Sequence, residues 1–396
     1  MPWKETCAVE ERMRFVMERE SRELSMATLC RKFGVTRPVG YKWLERYRAE
    51  GVKGLQDRSR ASKHHPNAVP IEVEEAILAV RRRHRYWGPR KILAWLERQH
   101  PQQRWPVAST MGEILRRHGL TVPRKRKRRC PPLGRPLSNG ETPNAVWCAD
   151  FKGWFRTGDG CRCDALTVMD HWSRYLLRCQ LLQKTGYEAT RALFEAAFCE
   201  YGLPQVIRTD NGTPFATRGT AGLSKLSVWW LRLGIQPERI EPGQPQQNGA
   251  QERLHLTLKQ ETATPPQPSW RAQQQSMHRF RHQYNHDRPH EALGQKVPAS
   301  RYQPSPRAYP DRLPQPEYPD HLLLRRVQIS GEFYWKHTKV FLGEALAKQT
   351  VALEPIDKRY YRVYFTHLQL GIFDSDSFKM LSPAELAKLK RQWLQE

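Results

Sequence analysis

The sequence predicts a multidomain protein, with all-α modules at the N-terminus, an α/β core in the middle and a small antiparallel β-barrel towards the C-terminus. Three observations carry this. Apolar residues recur at helical spacing up to about residue 120, strand-like runs alternate with helices from residue 144, and after residue 320 short apolar strands separated by turns take over. At 396 residues the chain exceeds one ordinary hydrophobic core, and typical domain sizes divide it into about two to four units. The composition shifts place the boundaries at 1–60, 61–135, 136–305 and 306–396.

Charge narrows the partner. The chain has 66 Lys and Arg against 40 Asp and Glu, a formal excess of 26. Such an excess repels itself unless a polyanion neutralises it, which makes nucleic acid the leading partner. Residues 1–143 hold 32 basic and 15 acidic residues, so 17 of the 26 excess charges lie in the first third. There is no apolar run long enough to span a bilayer, and MPWKETCAVEERMRF is too charged for a signal peptide. The expectation is a cytoplasmic protein associated with the nucleoid, with no membrane partner. The eight cysteines lack a compact framework, and Cys161 and Cys163 are too close for a zinc-type pair, so they read as reduced thiols.

In the first module, SMATLCRKFGVTRPVGYKWLERYRA at 25–49 reads as two helices around a tight turn. Ser25 caps the first, Gly34 ends it, and Thr36 with Pro38 starts the second. This is helix-turn-helix shape, with Arg37, Lys42 and Arg46 on polar positions and Trp43, Leu44 and Tyr47 inward, as a major-groove recognition helix requires. The plain alternative is a helical hairpin with a solvated basic face; the turn, the charge and the basic linker that follows favour DNA.

After the polar linker, IEVEEAILAVRRRHRYWGPRKILAWLERQ gives two amphipathic helices broken at Trp87-Gly88-Pro89, and VASTMGEILRRHGL gives a third, capped by Ser109 or Thr110. This is a second helix-turn-helix-like unit. Behind it Arg124, Lys125, Arg126, Lys127, Arg128 and Arg129 form six consecutive cations that must be solvated or bound to phosphate.

From 144 the runs NAVWCADFKGWF, CDALTVMD and RYLLRCQLL read as three strands. A helix at about 187–201, a strand at 205–209, a helix near 223–233, a short strand at 235–240 and a helix at about 250–261 follow, then one more at about 269–286. In the last segment HLLLRRVQI, EFYWK, KVFLG, QTVALEP, YYRVYF and LGIFD are spaced like the strands of a small SH3-like barrel, and SPAELAKLKRQWLQE ends the chain as a helix capped by Ser382.

Three acids stand out by position. Asp150 lies in the first core strand, Asp210 where the fourth strand meets an Asn-Gly turn, and Glu252 in the first turn of the helix after a Pro- and Gly-rich loop. An aspartate among Trp147, Cys148 and Phe151 costs several kcal/mol unless something positive stands beside it. A divalent cation answers that demand, since Mg²⁺ takes a few carboxylates plus water and phosphate oxygens. Two such ions about 3.5–4 Å apart serve phosphodiester chemistry.

WCADFKG, VMDHWSRY, RTDNGTPF, PQQNGAQERLHLTLK and YNHDRPHEALGQKVPASRY, taken in this order, resemble the integrase-type catalytic core of the DDE transposases of bacterial insertion sequences, relatives of retroviral integrases. The 41 residues between Asp210 and Glu252 fit that branch. The resemblance implies an RNase H-like fold, with Asp150, Asp210 and Glu252 as catalytic and metal-binding triad for two Mg²⁺ ions, Mn²⁺ substituting. It further implies metal-dependent 3′-end cleavage and strand transfer by a homodimer or larger assembly on element ends and target DNA.

Lys259, seven positions and nearly two turns after Glu252, shares its helix face and is placed to touch a DNA end. Asn248 and Gly249 shape the loop that brings Glu252 inward. Asp164 and Asp170 are rival acids left out of the triad, Asp170 reading as structural. His278, His282 and His286 recur every four residues, a pattern assigned to a basic DNA-facing helix rather than to a metal. Two readings stay open beside the transposase: an RNase H-like nuclease without joining, and a catalytically silent DNA-binding regulator.

Overall fold

The computed structural model of the chain describes residues 7–59, 68–121, 137–217, 219–241, 245–382, 384–387 and 389. It divides into two compact units, Met1–Val69 and Pro70–Glu396. Among the described residues no helix is long and apolar enough to cross a membrane.

The first unit has three helices, α1 (Ala8–Glu20), α2 (Met26–Lys32) and α3 (Arg37–Glu50), followed by a 3₁₀ turn at Gly51–Leu55. Phe15, Val16, Met26, Leu29, Cys30, Leu44 and Leu55 form its core. Ser25 caps α2 through the Thr28 N–H at 3.3 Å, and Gly34, at φ +63°, makes the left-handed stop. Thr36 precedes α3 without a side-chain cap; Pro38 in the first turn supplies the start. The helices meet where Gly40 has no side chain, since a Cβ there would stand 2.8 Å from both Cys30 Sγ and Phe15 Cζ.

The second unit opens with α4 (Ile71–Arg83), α5 (Pro89–Gln99) and α6 (Ala108–Arg117). The break falls at Trp87-Gly88-Pro89 as expected, and Trp87 is buried beneath a stacked His84 ring at 3.8 Å. Arg81 ties the bundle's ends, donating to the Trp87 and Leu120 carbonyls at 2.6 Å each. The expected caps of α6 are not made. Val107, extended after Pro106, is the N-cap, so Ser109 and Thr110 already lie inside the first turn. The bundle docks on the core through α5, where Lys91 Nζ donates to Pro289 O at 2.7 Å and Arg98 to Asp287 O at 2.8 Å.

The core sheet is built from β1 (Val146–Arg156), β2 (Arg162–Asp170), β3 (Leu176–Leu182), β4 (Val206–Thr209) and β5 (Gln236–Arg239), in the order β3-β2-β1-β4-β5. The first three strands are antiparallel, while β4 and β5 run parallel to β1. Helices α7 (Tyr187–Tyr201) and α8 (Lys225–Arg232) pack with the sheet in one core around Trp147, Phe194, Phe198 and Trp230. Helices α9 (Gly249–Thr262) and α10 (Trp270–His286) pack in another, with Leu254, Leu258, Met277 and Phe280 against Cys163, Met169 and Cys179. An antiparallel meander crossing into parallel strands, sandwiched by helices, is the α/β arrangement the sequence order predicts.

Residues beyond 305 still belong to this core. Tyr302, Tyr309 and Leu313 pack on its main cluster, and Arg307 donates to the Pro204 and Leu233 carbonyls at 2.8 Å.

The C-terminal strands are β6 (Leu323–Arg326), β7 (Glu332–Trp335), β8 (Thr338–Phe341), β9 (Thr350–Pro355), β10 (Tyr360–Phe365), β11 (Leu368–Asp374) and β12 (Lys379–Met380). They do not close by hydrogen bonding into the expected barrel. The sheet runs β12-β11-β10-β9-β6, and among the described residues its edge strands β12 and β6 do not pair. The β7–β8 hairpin is a separate two-stranded sheet whose Phe333, Trp335 and Val340 cover the larger sheet's apolar face. Leu223, Val228 and Leu231, from α8 and the residue before its cap, fill the same cluster. The terminal helix starts as expected, Ser382 and Glu385 exchanging backbone and side-chain hydrogen bonds in a capping box. Its continuation past 389 lies outside the described residues.

The packing of Gly40 makes a direct prediction. Gly40→Ala forces the first unit's helices apart and destabilises that unit by about 1–3 kcal/mol, the usual cost of overpacking. In a two-transition thermal melt the N-terminal transition falls while the core transition stays in place.

Candidate active site

Register brings the first two acids together. Parallel pairing sets Cys148 opposite Arg208, so two residues further along each chain Asp150 and Asp210 stand level. Arg208 anchors that end of β4, its buried guanidinium donating to Glu238 at 2.7 Å and to Ser138 O at 2.6 Å. Beyond it the chain turns sharply. Gly212 donates its N–H to Asp210 Oδ1 at 3.1 Å, and a Cβ on Gly212 would stand 2.9 Å from Asp210 Oδ2. Asn211 fixes the outer side of the turn by donating to Ile240 O at 2.7 Å. The Asn-Gly pair therefore makes room for the aspartate's own carboxylate.

Glu252 arrives from the opposite side of the sheet's end. Gln251, fully buried, donates from Nε2 to Thr167 Oγ1 at 2.9 Å and Thr167 O at 3.2 Å, which pins the first turn of α9 over β2. The neighbouring Glu252 is left exposed at the edge of the cleft.

The electrostatics show that the three acids share one place. Burial pushes the Asp150 carboxyl up from 3.8 to about 7, the negative charge of Asp210 adds to this, and Glu252 contributes further; a hydrogen bond from the Phe151 backbone opposes them. Among the described residues no Lys or Arg lies within ion-pair distance of any of the three, and Asp150's nearest basic group is His255, with Nδ1 at 3.7 Å from Oδ2. Burial and the nearby Lys152 hold that imidazole down to about 4, so it is neutral. Lys152, two residues after Asp150, is half-buried, and burial with the charge of Lys259 lowers its ammonium. Lys259 itself is exposed on α9. Two lysines, Lys152 and Lys259, thus stand close enough to interact near the acids.

A divalent cation fits these residues. The donors are hard carboxylate oxygens from three separate elements, and among the described residues no Lys or Arg pairs with the buried Asp150. Among the described residues no three such side chains already converge at metal-ligating distance; the acids face one another at electrostatic range.

The other candidates are placed as follows. Asp170 is fully buried and spends both oxygens on structure, accepting from the Asn144 N–H at 2.7 Å and from Ser173 N at 2.8 Å. Asp164 pairs with Arg162 at 3.1 Å on the far end of β2. His278, His282 and His286 form an exposed row on α10, with the last two rings 4.7 Å apart. On α3, Arg37 and Lys42 are exposed, whereas Arg46 is half-buried over the Trp43 ring at 5.0 Å. Arg124 through Arg129 lie outside the described residues. Sequence reasoning passed over Lys152, Thr167, Gln251 and His255; the Glu252-x-x-His255 spacing on one helix face was the available signal for the last of these.

Models of known domain families match this chain along its length. Residues 140–245 and 233–298 match integrase core domain models, residues 11–63 a helix-turn-helix domain and residues 39–115 a homeodomain-like domain. These matches show an integrase core domain preceded by helix-turn-helix modules, a make-up that resembles that of DDE-type transposases of bacterial insertion sequences. The chain is 27% identical over 282 residues to an uncharacterised protein of insertion element IS476 from Xanthomonas euvesicatoria, covering 69% of this chain and 77% of that one. It is 29% identical over 245 residues to an uncharacterised protein of insertion element IS407 from Burkholderia multivorans, covering 59% and 83% respectively. Among solved structures it is similar to the catalytic core of HTLV-2 integrase in complex with magnesium, at 16% identity and a TM-score of 0.34 over 42% of this chain and 100% of that chain.

The raised Asp150 carboxyl has a definite sign. Folding favours its protonated form, so ionising it costs stability progressively between pH ~4 and pH ~7 and fully above that. Asp150→Asn therefore stabilises the metal-free protein by a few kcal/mol above pH ~7, since each tenfold change in proton affinity is about 1.4 kcal/mol, and by little below pH ~4. Melting temperatures of the two proteins across this range check it.

Proposed function

We propose that the protein is a DNA transposase whose N-terminal helical modules bind the terminal repeats of its element. Its core would then cut to expose 3′-hydroxyl ends and join them to target DNA. The observation that carries this reading is the approach of Asp150, Asp210 and Glu252 at one end of the sheet, with no Lys or Arg among the described residues within ion-pair distance of them. That is the arrangement a phosphoryl-transfer site needs. The three carboxylates would hold two Mg²⁺ ions, or Mn²⁺, which when bound supply an activated oxygen nucleophile and a stabilised leaving oxygen.

The protein's own residues do the rest. Arg37 and Lys42 on α3 present charge to DNA, and the Arg124–Arg129 run adds phosphate contacts. Lys259 and Lys152 near the acids hold the phosphates that flank the scissile bond. Gly212 and Gln251 fix Asp210 and Glu252 so that the carboxylates need no reorganisation when substrate arrives. In joining, a 3′-hydroxyl oxygen forms its bond to the target phosphorus as the target's own 3′ oxygen leaves. One phosphodiester is exchanged for another, so no nucleotide hydrolysis is required. Two element ends have to be held at once, which calls for a dimer or larger assembly. The C-terminal sheet with its hairpin, read as an open SH3-like barrel, offers a DNA or subunit contact.

A strand-transfer assay with labelled element-end DNA, supercoiled target and Mg²⁺ or Mn²⁺ tests this. Joined product forms with the wild type and falls at least about a hundredfold with Asp210→Asn, the scale of losing a main electrostatic contributor. Cleavage without joining would instead favour a nuclease, and specific binding without either reaction a silent regulator. Lys259→Ala weakens binding to end DNA and makes the dependence of log affinity on log salt shallower by about one. Filter binding across a salt series reads that slope.

A further inference from the structure

Two conspicuous stretches of the sequence, VMDHWSRY and YNHDRPHEALGQKVPASRY, supply none of the three acids. They meet near the start of β1, where His171 donates its backbone N–H to Val146 O at 2.8 Å. Between them lies a cavity of about 440 Å³ whose lining includes His171, Trp172, Arg174, Lys296 and Arg301 and no Asp or Glu. Among the described residues none of its three cations is in an ion pair. The acids on the same stretches are engaged elsewhere, Asp170 with Asn144 and Ser173, and Glu291 with Arg90 of α5 at 3.3 Å. Burial, and after it the charges of Arg174 and Arg208, hold the His171 imidazole down at about 4, so it stays neutral beside the cations.

The local backbone holds these side chains in place. Arg174 sits at φ +62°, a left-handed conformation that suits glycine. Asp170 fastens the turn, its carboxylate accepting from the Ser173 N–H at 2.8 Å and its carbonyl from the Arg174 N–H at 3.0 Å. Glycine would serve that backbone; arginine serves the cavity. On the other stretch, His290 N–H donates to Lys296 O at 3.1 Å and Gln295 N–H to His290 O at 2.8 Å, closing a tight loop. Arg301 donates its N–H to Pro298 O at 2.9 Å, and its guanidinium lies 5.7 Å from the Trp172 ring centre. Three cations fixed by turns, with no counter-charge, form a preorganised site for an anion, and phosphate is the anion that Arg and Lys bind best together.

The cavity is also close to the acids. Cys148 and Asp150 share one face of β1, two residues or about 7 Å apart, and Cys148 Sγ is 3.6 Å from His171 Nδ1. The cavity wall is therefore on the order of 10 Å from Asp150, a distance that about three nucleotides cover at roughly 3.4 Å each. We infer that this cavity binds a backbone phosphate of the DNA strand, about three nucleotides from the bond that is cut or joined, through Arg174, Lys296 and Arg301. The inference rests on the reading of the three acids as a phosphoryl-transfer site.

The experiment compares the full-length wild type with the double variant Lys296→Gln, Arg301→Gln by filter binding of labelled element-end DNA across a salt series. One phosphate served by both cations makes the log–log slope of the double variant shallower by about one rather than two. Affinity falls about tenfold, the scale of a charge-assisted hydrogen bond. The exchange Lys296→Arg, Arg301→Lys keeps both close to wild type, and melting temperatures confirm that the variants are folded. A neutral methylphosphonate moved singly along the strand weakens wild-type binding about three nucleotides from the reacting bond and has no effect there on the double variant. An unchanged slope and affinity in the double variant, while the wild type joins ends, overturns the phosphate contact and leaves the transposase reading intact. A wild-type melting temperature raised by millimolar inorganic phosphate, unmoved in the double variant while both bind DNA alike, gives the cavity to a free phosphate and overturns the DNA contact. The expected loss of slope in a protein that neither cuts nor joins keeps the contact and overturns the transposase reading.

Discussion

Repulsion between like charges in a poorly solvated place governs the centre of this protein. Asp150 is buried enough to resist ionisation, Asp210 stands level with it, and Glu252 closes from a helix. Burial first, and then the charges of Asp210 and Glu252, make Asp150 hard to keep ionised, so the scaffold has to hold it from outside. The sheet register holds Asp150 and Asp210, Gly212 leaves space and an N–H for the latter, and Gln251 clamps the helix that carries Glu252. Thr167 alone satisfies groups on β1 and α9, while Gln251 Oε1 and Asn248 Oδ1 are buried without a hydrogen-bond partner among the described residues.

The same logic organises the outer parts. Among the described residues no Lys or Arg pairs with the three acids, and Lys152 and Lys259 stand near them. The buried Arg208 is already engaged with Glu238 and Ser138 and so does not neutralise Asp210. The helical bundle α4–α6 reaches the core through long cationic side chains that seek backbone carbonyls at Asp287 and Pro289. Burial lowers the Lys91 ammonium to about 7, a measure of how dry that contact is.

Much of this was legible in the sequence because period and order are local signals. The strand and helix order of the core followed from apolar runs, and the acids drew notice because carboxylates stood where apolar residues belonged. Ser25 and Gly34 worked as read because caps and left-handed stops depend on one or two residues. What depended on distant packing was not legible. Ser109 and Thr110 were capping-type residues at the right place, yet the helix starts earlier, with the extended Val107 as its N-cap. Whether the C-terminal strands pair into one sheet or two is set by tertiary geometry that no local run of residues encodes: the β7–β8 hairpin forms its own sheet over the apolar face of the larger one. Thr167 and Gln251 carry no signature of their own. Their importance comes from which atoms they meet across three elements.

Helix α8 packs Leu226, Trp229 and Trp230 into the core, while Val228 and Leu231 face the cluster of the C-terminal sheet. One helix thus serves two hydrophobic interiors at once. A gene rearrangement that shed the C-terminal strands would leave an oily stripe on the catalytic core, and one that moved those strands elsewhere would leave them without a floor. The catalytic core and the C-terminal strands therefore depend on the same helix to complete their interiors.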